Sequence, residues 1–166
     1  MLCFHFFGRE VIKGRRWRFW PLTGFLTTAV LGTLAHFAYR WSDGALLAGV
    51  FCAVNESVWE HMKLLFFPVF LFTAAQFCMG ERDGLLAARA VSVTAGLALI
   101  PTLYYTYTGI WGDHVLWADA AIFYLSAAVT FWLDSLLRRQ RRLWGMGRQV
   151  AGLVWLLSLI HISEPT

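Results

Sequence analysis

Four apolar stretches of bilayer-crossing length divide this chain, and a water-soluble globule has no way to bury them all. A helix needs about 20 predominantly apolar residues to cross the hydrocarbon core. Within that core every backbone N–H and C=O must be satisfied inside the structure, which limits spanning segments to helices and closed barrels. The candidates run from Pro21 to Trp41, within Ala45 to Met79, from Leu85 to about Tyr107, and from about His114 to Leu137. Only 14% of the 166 residues are charged, against roughly 25% in a soluble domain, so lipid has to be the solvent. The expectation is an all-α polytopic bundle in the cell membrane, with four complete spans and a truncated fifth that starts near Trp144.

The second candidate is too long for one span. Its helix would stretch roughly 52 Å across a core of about 30 Å. Ala45 to Val54 is therefore expected to form a separate short element, with the spanning helix starting near Asn55 as N-cap and kinked further on by Pro68. Pro21 is placed at the start of the first span, and Pro101 inside the third.

The bundle is assigned to residues 20–156. Residues 1–19 form a basic, aromatic cytoplasmic or interfacial arm carrying Arg9, Lys13, Arg15, Arg16 and Arg18; a disordered tail is the other reading of that composition. Residues 157–166 read codon for codon as a translated sequencing-library adapter, so that tail is expected to be non-native, and His161 and Glu164 receive no role. Further basic residues fall in the second-to-third connection (Arg82, Arg89) and the fourth-to-fifth (Arg138, Arg139, Arg141, Arg142, Arg148), while the opposite connections hold Arg40 and little else basic. By the positive-inside rule this pattern predicts a cytoplasmic N-terminus. No basic face on a soluble fold is visible, which argues against nucleic acid; the expected partner is membrane lipid. Cys3, Cys52 and Cys78 match no zinc spacing, and no disulfide is expected. Trp17, Trp20, Trp41, Trp111, Trp117 and Trp144 sit near span ends, as an aromatic belt does.

One run breaks the apolar pattern: Asn55-Glu56-Ser57-Val58-Trp59-Glu60-His61-Met62-Lys63. Ionisable groups at membrane depth are costly and tend to face a bundle interior or cavity, where they mark function. The predicted topology brings other polar residues to the same depth: His36, Tyr39 and Arg40 from the first span, Tyr104, Tyr105 and Tyr107 from the third, and Asp113, His114 and Asp119 from the fourth. At about 100° per residue, Glu56, Glu60 and Lys63 share one stripe and His61 points away from it. His114 and Asp119 are about 140° apart on a regular helix and need a loose first turn to meet.

Three readings follow. Glu56, Glu60 and His61 are the catalytic candidates of an outward-facing site, with Asn55, Tyr39, Arg40, Lys63 and Tyr105 on the substrate, and a metal held by His36, Glu60, His114 and Asp119. Zinc is the metal such a set suits, since it takes His and carboxylate ligands and activates a bound water; the chemistry would be hydrolysis or transfer on a lipid or envelope substrate. In the second reading the carboxylates carry protons or cations in a small transporter. In the third they are structural, with Glu60 paired to Lys63, Glu56 to Arg40, and Asn55 capping the helix. Asp134 is expected to pair with Arg138. Gly24, Gly32 and Gly96 are expected at helix contacts.

The segments Ala35–Ser42 (A-H-F-x-Y-x-W-S), Val54–Pro68 (V-N-E-S-V-W-E-H-M-K-L-L-F-F-P) and Tyr104–Gly112 (Y-Y-T-Y-T-G-I-W-G) resemble a family of small bacterial polytopic membrane proteins classed as a domain of unknown function. The resemblance covers Phe19 to Leu137. It implies a multi-span helical fold and brings no activity; the matching residues are His36, Asn55, Glu56, Trp59, Glu60, His61 and Lys63. In site chemistry alone the chain is also similar to membrane hydrolases of the alkaline ceramidase type, whose His and Asp residues surround zinc, but it lacks their H-x-x-x-H helix.

Overall fold

The computed structural model describes residues 2–43, 45–55 and 57–163; the side chains of residues 2–18, 40, 46–48, 141, 162 and 163 lie outside that description. The helices are α1 (Leu2–Trp41), α2 (Leu46–Phe51), α3 (Val58–Cys78), α4 (Leu85–Trp111), α5 (Leu116–Arg138) and α6 (Met146–Ser158), with single 3-10 turns at Arg141–Trp144 and Leu159–Ser163. Four helical segments are long and apolar enough to cross a membrane: Phe19–Tyr39 of α1, and α3, α4 and α5.

Short connections make consecutive spans antiparallel. α4 packs on α5, α3 and α6, and α1 lies across α3 and α5. The core is filled by Leu64, Leu65, Phe66 and Val69 of α3, Val93, Leu97 and Ile100 of α4, and Phe123, Ala127 and Phe131 of α5. Residues 19–35, 64–80, 90–112 and 120–133 contain no Asp, Glu, His, Lys or Arg, so the charged groups are confined to two ends. One end gathers α2, the C-termini of α1 and α4 and the N-termini of α3 and α5; we call it the α2 end. The other, the arginine end, holds Arg82, Arg139, Arg142, Arg148 and the α3–α4 loop.

Two glycines permit the helices to approach closely. A Cβ on Gly32 would stand 2.5 Å from the Phe123 ring and 2.8 Å from the Leu64 carbonyl oxygen. One on Gly96 would meet the Thr130 hydroxyl and the Ser126 carbonyl. The expected helix-contact roles of Gly24, Gly32 and Gly96 therefore hold, with Gly24 against the Phe131 ring.

Two local expectations are corrected. Pro21 does not begin a helix: α1 is continuous from Leu2 to Trp41 with Pro21 inside it. Proline removes only one i→i−4 hydrogen bond, at about 3 kcal/mol, and bilayer insertion of the flanking residues offsets that. Asn55 does not cap α3. Ser57 does, its hydroxyl accepting from the Glu60 N–H at 3.3 Å, while the Asn55 side-chain oxygen accepts from the Ser57 N–H at 3.0 Å. The two form a short capping relay, as Asx and Ser side chains favour. The short fifth span expected from the sequence is α6, with 13 residues, about 20 Å of helix. It is seated on α4 through Gly152 against Leu86 and Ala87 and through a 2.8 Å hydrogen bond from Trp155 Nε1 to Thr94. The separate element before α3 is present as α2.

At the arginine end the structure supplies a network that sequence spacing did not reveal. Asp134 accepts two hydrogen bonds from Arg89 of α4, at 3.2 Å from Nε and 3.0 Å from Nη2. Nη2 also donates to Gln76 of α3 at 2.8 Å, and the guanidinium lies over the rings of Phe131 and Phe72. Arg138, the partner expected for Asp134, interacts with the Asp134 charge and also lies 3.5 Å from Glu81. All five of these polar residues are buried.

Candidate functional site

The polar residues of the α2 end divide into two groups because Glu60 and His61 point in different directions from consecutive positions of α3. Glu60 and Lys63, one turn apart, face the segment between α2 and α3. Their side chains meet at 2.9 Å with 1% and 0% exposure. The second carboxylate oxygen of Glu60 accepts from the Val54 N–H at 3.1 Å, and the Lys63 ammonium donates to the Gly49 carbonyl at 3.4 Å. The expected Glu60–Lys63 pair is thus present, and both its members are also tied to backbone. Cys52 lies beside it, its thiol pushed up in pKa by burial and drawn back partly by the Lys63 charge.

His61 faces the other way, toward α1 and α5. Its Nδ1 is 2.9 Å from the Ser57 carbonyl. A carbonyl only accepts, so Nδ1 carries the proton and the lone pair of the neutral ring is on Nε2. The ring lies 5.5 Å, centroid to centroid, from that of His36. Opposite stands Asp119, in the first turn of α5. It receives the Tyr107 hydroxyl from α4 and lies 3.4 Å from His114 Nδ1. His114 reaches it because it precedes the helix: Val115 is extended and α5 starts at Leu116. This is the loose first turn that the two residues need to meet.

These groups open onto a cavity of about 240 Å³ between α1, α3 and α5, lined by Gly32, Thr33, His36, Phe37, His61, Leu64, Leu116, Asp119, Ala120, Phe123 and Tyr124. Its lining is graded along the helices. The ionisable groups His36, His61 and Asp119 are at the α2 end. Gly32, Leu64 and Phe123 lie about one turn deeper, with Thr33 and Tyr124 hydrogen-bonded to each other at 3.0 Å. A second, much smaller cavity of about 20 Å³ lies on the α4 side, lined by Val58, His61, Ile100, Tyr104, Asp119, Ile122 and Phe123. His61 and Asp119 are common to both.

The remaining candidates fall as follows. Glu56 and the Arg40 side chain, and with them the expected Glu56–Arg40 pair, lie outside the described residues. Tyr39 is half-buried and packs toward Gly49 of α2. Asn55 is engaged in the capping relay. Tyr105 is 66% exposed on the outer face of α4, whereas Tyr104 and Tyr107, on its inner face, approach the site. Sequence reasoning put Tyr105 on the substrate and left these two without a role; their i, i+3 spacing is the signal that separates them from it. Among the described residues no three His, Cys, Asp or Glu side chains gather closely enough to hold a metal ion, so the zinc set of His36, Glu60, His114 and Asp119 is not assembled around one point.

A charge-free belt of four long apolar helices, closed by charged groups at both ends, defines a multi-pass α-helical membrane protein. The chain belongs to the family of unknown function DUF6512, which matches residues 10–162. No curated protein and no solved structure matches it.

Proposed function

We propose that this protein takes a small amphiphilic molecule from the bilayer into the α1–α3–α5 cavity and acts on it by acid–base chemistry at His61, His36 and Asp119. The observation that carries this reading is the graded lining: titratable groups at the α2 end, apolar side chains and glycine beneath. A molecule with a polar head and an apolar tail matches that gradient in one orientation only. Binding sites are commonly apolar concavities with a few convergent polar groups. His61, its ring held through Nδ1 by the Ser57 carbonyl, suits a general base, and general acid–base catalysis contributes typically 10²- to 10⁴-fold.

The charge-free belt favours this reading over proton or cation transport. A relay across the bilayer needs ionisable steps, and none of the carboxylates, histidines or basic residues lies between the α2 end and the arginine end. The distribution of basic residues supports an arginine end, and hence an N-terminus, in the cytoplasm, with the cavity opening on the far side of the membrane.

The test is turnover by protein in lipid vesicles given a panel of neutral ester amphiphiles. His61→Gln and Asp119→Asn are expected to lower the rate about a hundredfold or more while the melting temperature stays near that of the parent. Equal turnover by parent and variants would exclude the proposed chemistry.

A further inference from the structure

At the arginine end the charges are sorted by depth. Three carboxylates act on buried cations: Asp134 holds Arg89, Glu81 lies 3.5 Å from Arg138, and Asp83 adds its charge to Arg138. Arg82, Arg139, Arg142 and Arg148 are exposed. Among the described residues no carboxylate lies in ion-pair reach of any of these four. The fold also joins the two connections that carry them. A Cβ on Gly84 would stand 2.9 Å from the Trp144 ring, and Trp144 Nε1 donates to the Arg138 carbonyl at 3.2 Å. The Leu86 N–H donates to Gln149 at 2.9 Å, Gln149 donates in turn to the Leu143 carbonyl, and Arg148 donates to the Arg142 carbonyl. Arg82 rests over the Phe77 ring, its guanidinium carbon 4.9 Å from the ring centre. The α3–α4 loop and the α5–α6 connection therefore present one basic surface.

Beside that surface the outer face of α5 is apolar. Leu125, Ala128, Trp132 and Leu136 follow one another at helical spacing, all exposed, and Arg139 continues the same stripe. A ligand with acyl chains and a phosphate meets both halves of this surface, whereas an acidic protein or a nucleic acid uses only the charged half. We infer that the arginine end binds an anionic glycerophospholipid, its phosphate held among Arg82, Arg139, Arg142 and Arg148 and an acyl chain lying along the α5 stripe. The guanidinium is a planar fork of donors that matches phosphate oxygens two at a time. A basic residue at the membrane surface favours an anionic headgroup by about fivefold. The site is separate from the cavity of the α2 end and does not depend on the function proposed there.

Native mass spectrometry of the protein in a neutral detergent, titrated with phosphatidylglycerol or with phosphatidylcholine of the same chains, reads the preference. The parent is expected to retain phosphatidylglycerol about tenfold or more over phosphatidylcholine. The quadruple variant Arg82→Gln, Arg139→Gln, Arg142→Gln, Arg148→Gln is expected to erase that preference and to keep the parent's melting temperature, since no ion pair among the described residues is lost. The pair Arg82→Gln, Arg142→Gln, a milder change should the quadruple variant not fold, is expected to lower it about fivefold or more. Trp132→Ala with Leu136→Ala is expected to weaken retention of both lipids and to leave their ratio unchanged. Equal retention of the two lipids by the parent, or a preference that survives in the quadruple variant and so belongs to the N-terminal arm, overturns the inference. So does displacement of the lipid by an equal concentration of glycerol phosphate, which would mark a site for free phosphate.

Discussion

Replacing Lys63 by Met should destabilise the fold by about 3–5 kcal/mol, the range for removing one partner of a buried ion pair. The magnitude follows from what remains. Glu60, at 1% exposure, would keep a carboxylate whose remaining assigned contact is the Val54 N–H at 3.1 Å. A single charge-assisted hydrogen bond contributes about 1.5–3 kcal/mol and leaves most of the cost of desolvating the ion unmet. The double variant Glu60→Leu, Lys63→Met removes both charges. What it leaves is the Val54 N–H without its acceptor, a cost of about 1–3 kcal/mol. The double variant should therefore be more stable than Lys63→Met alone, a coupling of about 2 kcal/mol or more that independent effects cannot produce. Denaturation in mixed micelles, followed by tryptophan fluorescence, measures the parent, Lys63→Met, Glu60→Leu and the double variant. A loss below about 1 kcal/mol for Lys63→Met, or additive losses in the double variant, would refute the reasoning. The same series bears on chemistry: because the pair faces away from the cavity, Glu60→Gln should alter stability before it alters turnover.

Asp134→Ala should cost a similar 3–5 kcal/mol, since Arg89 would keep only Gln76 and two aromatic faces; Arg89→Met with Asp134→Leu should recover most of it in the same assay. Gly32→Val should destabilise by about 1–3 kcal/mol through overpacking against Phe123 and the Leu64 carbonyl, read as a fall in melting temperature. Cys52 should react with maleimide more slowly than the exposed Cys78. Burial raises its thiol pKa above the ordinary value, so the thiolate is scarce near neutral pH and the difference should narrow as the pH rises. The sign for stability follows: the native state retains the thiol proton longer than the unfolded chain, so this contribution is present at neutral pH and is lost as the pH climbs through the raised pKa.

The helical architecture was legible because span length and charge placement are one-dimensional properties. So was the division of the polar run, since Glu60 and His61 must diverge by about 100° on any helix; the structure then shows which neighbour each one faces. The separate element before α3 followed from helix rise alone. What spacing could not provide was the partner across helices. Arg138, which shares a face with Asp134, does interact with its charge, but the hydrogen-bonded partner Arg89 approaches from α4 at a separation no local rule contains. Tyr105 and Tyr107 are equivalent in composition; the i, i+3 spacing of Tyr104 and Tyr107 sets those two on one face, and the orientation of α4 shows that face to be the inner one. The cap moved from Asn55 to Ser57 because both residue types cap well and helix ends are set by tertiary fit as much as by propensity.

The central claim, that an amphiphile occupies the α1–α3–α5 cavity with its head toward His36, His61 and Asp119, is tested most directly by photo-crosslinking. An alkyl glycerol bearing a diazirine along its chain would be irradiated with the protein in vesicles and the adducts located by peptide mass spectrometry. The account predicts adducts concentrated on Gly32, Phe37, Leu64, Ala120 and Phe123, suppressed when Ala120→Phe fills the cavity. Adducts distributed evenly over the outer faces of the bundle, at positions such as Val91 and Ile110 of α4, and unchanged by Ala120→Phe, would contradict it.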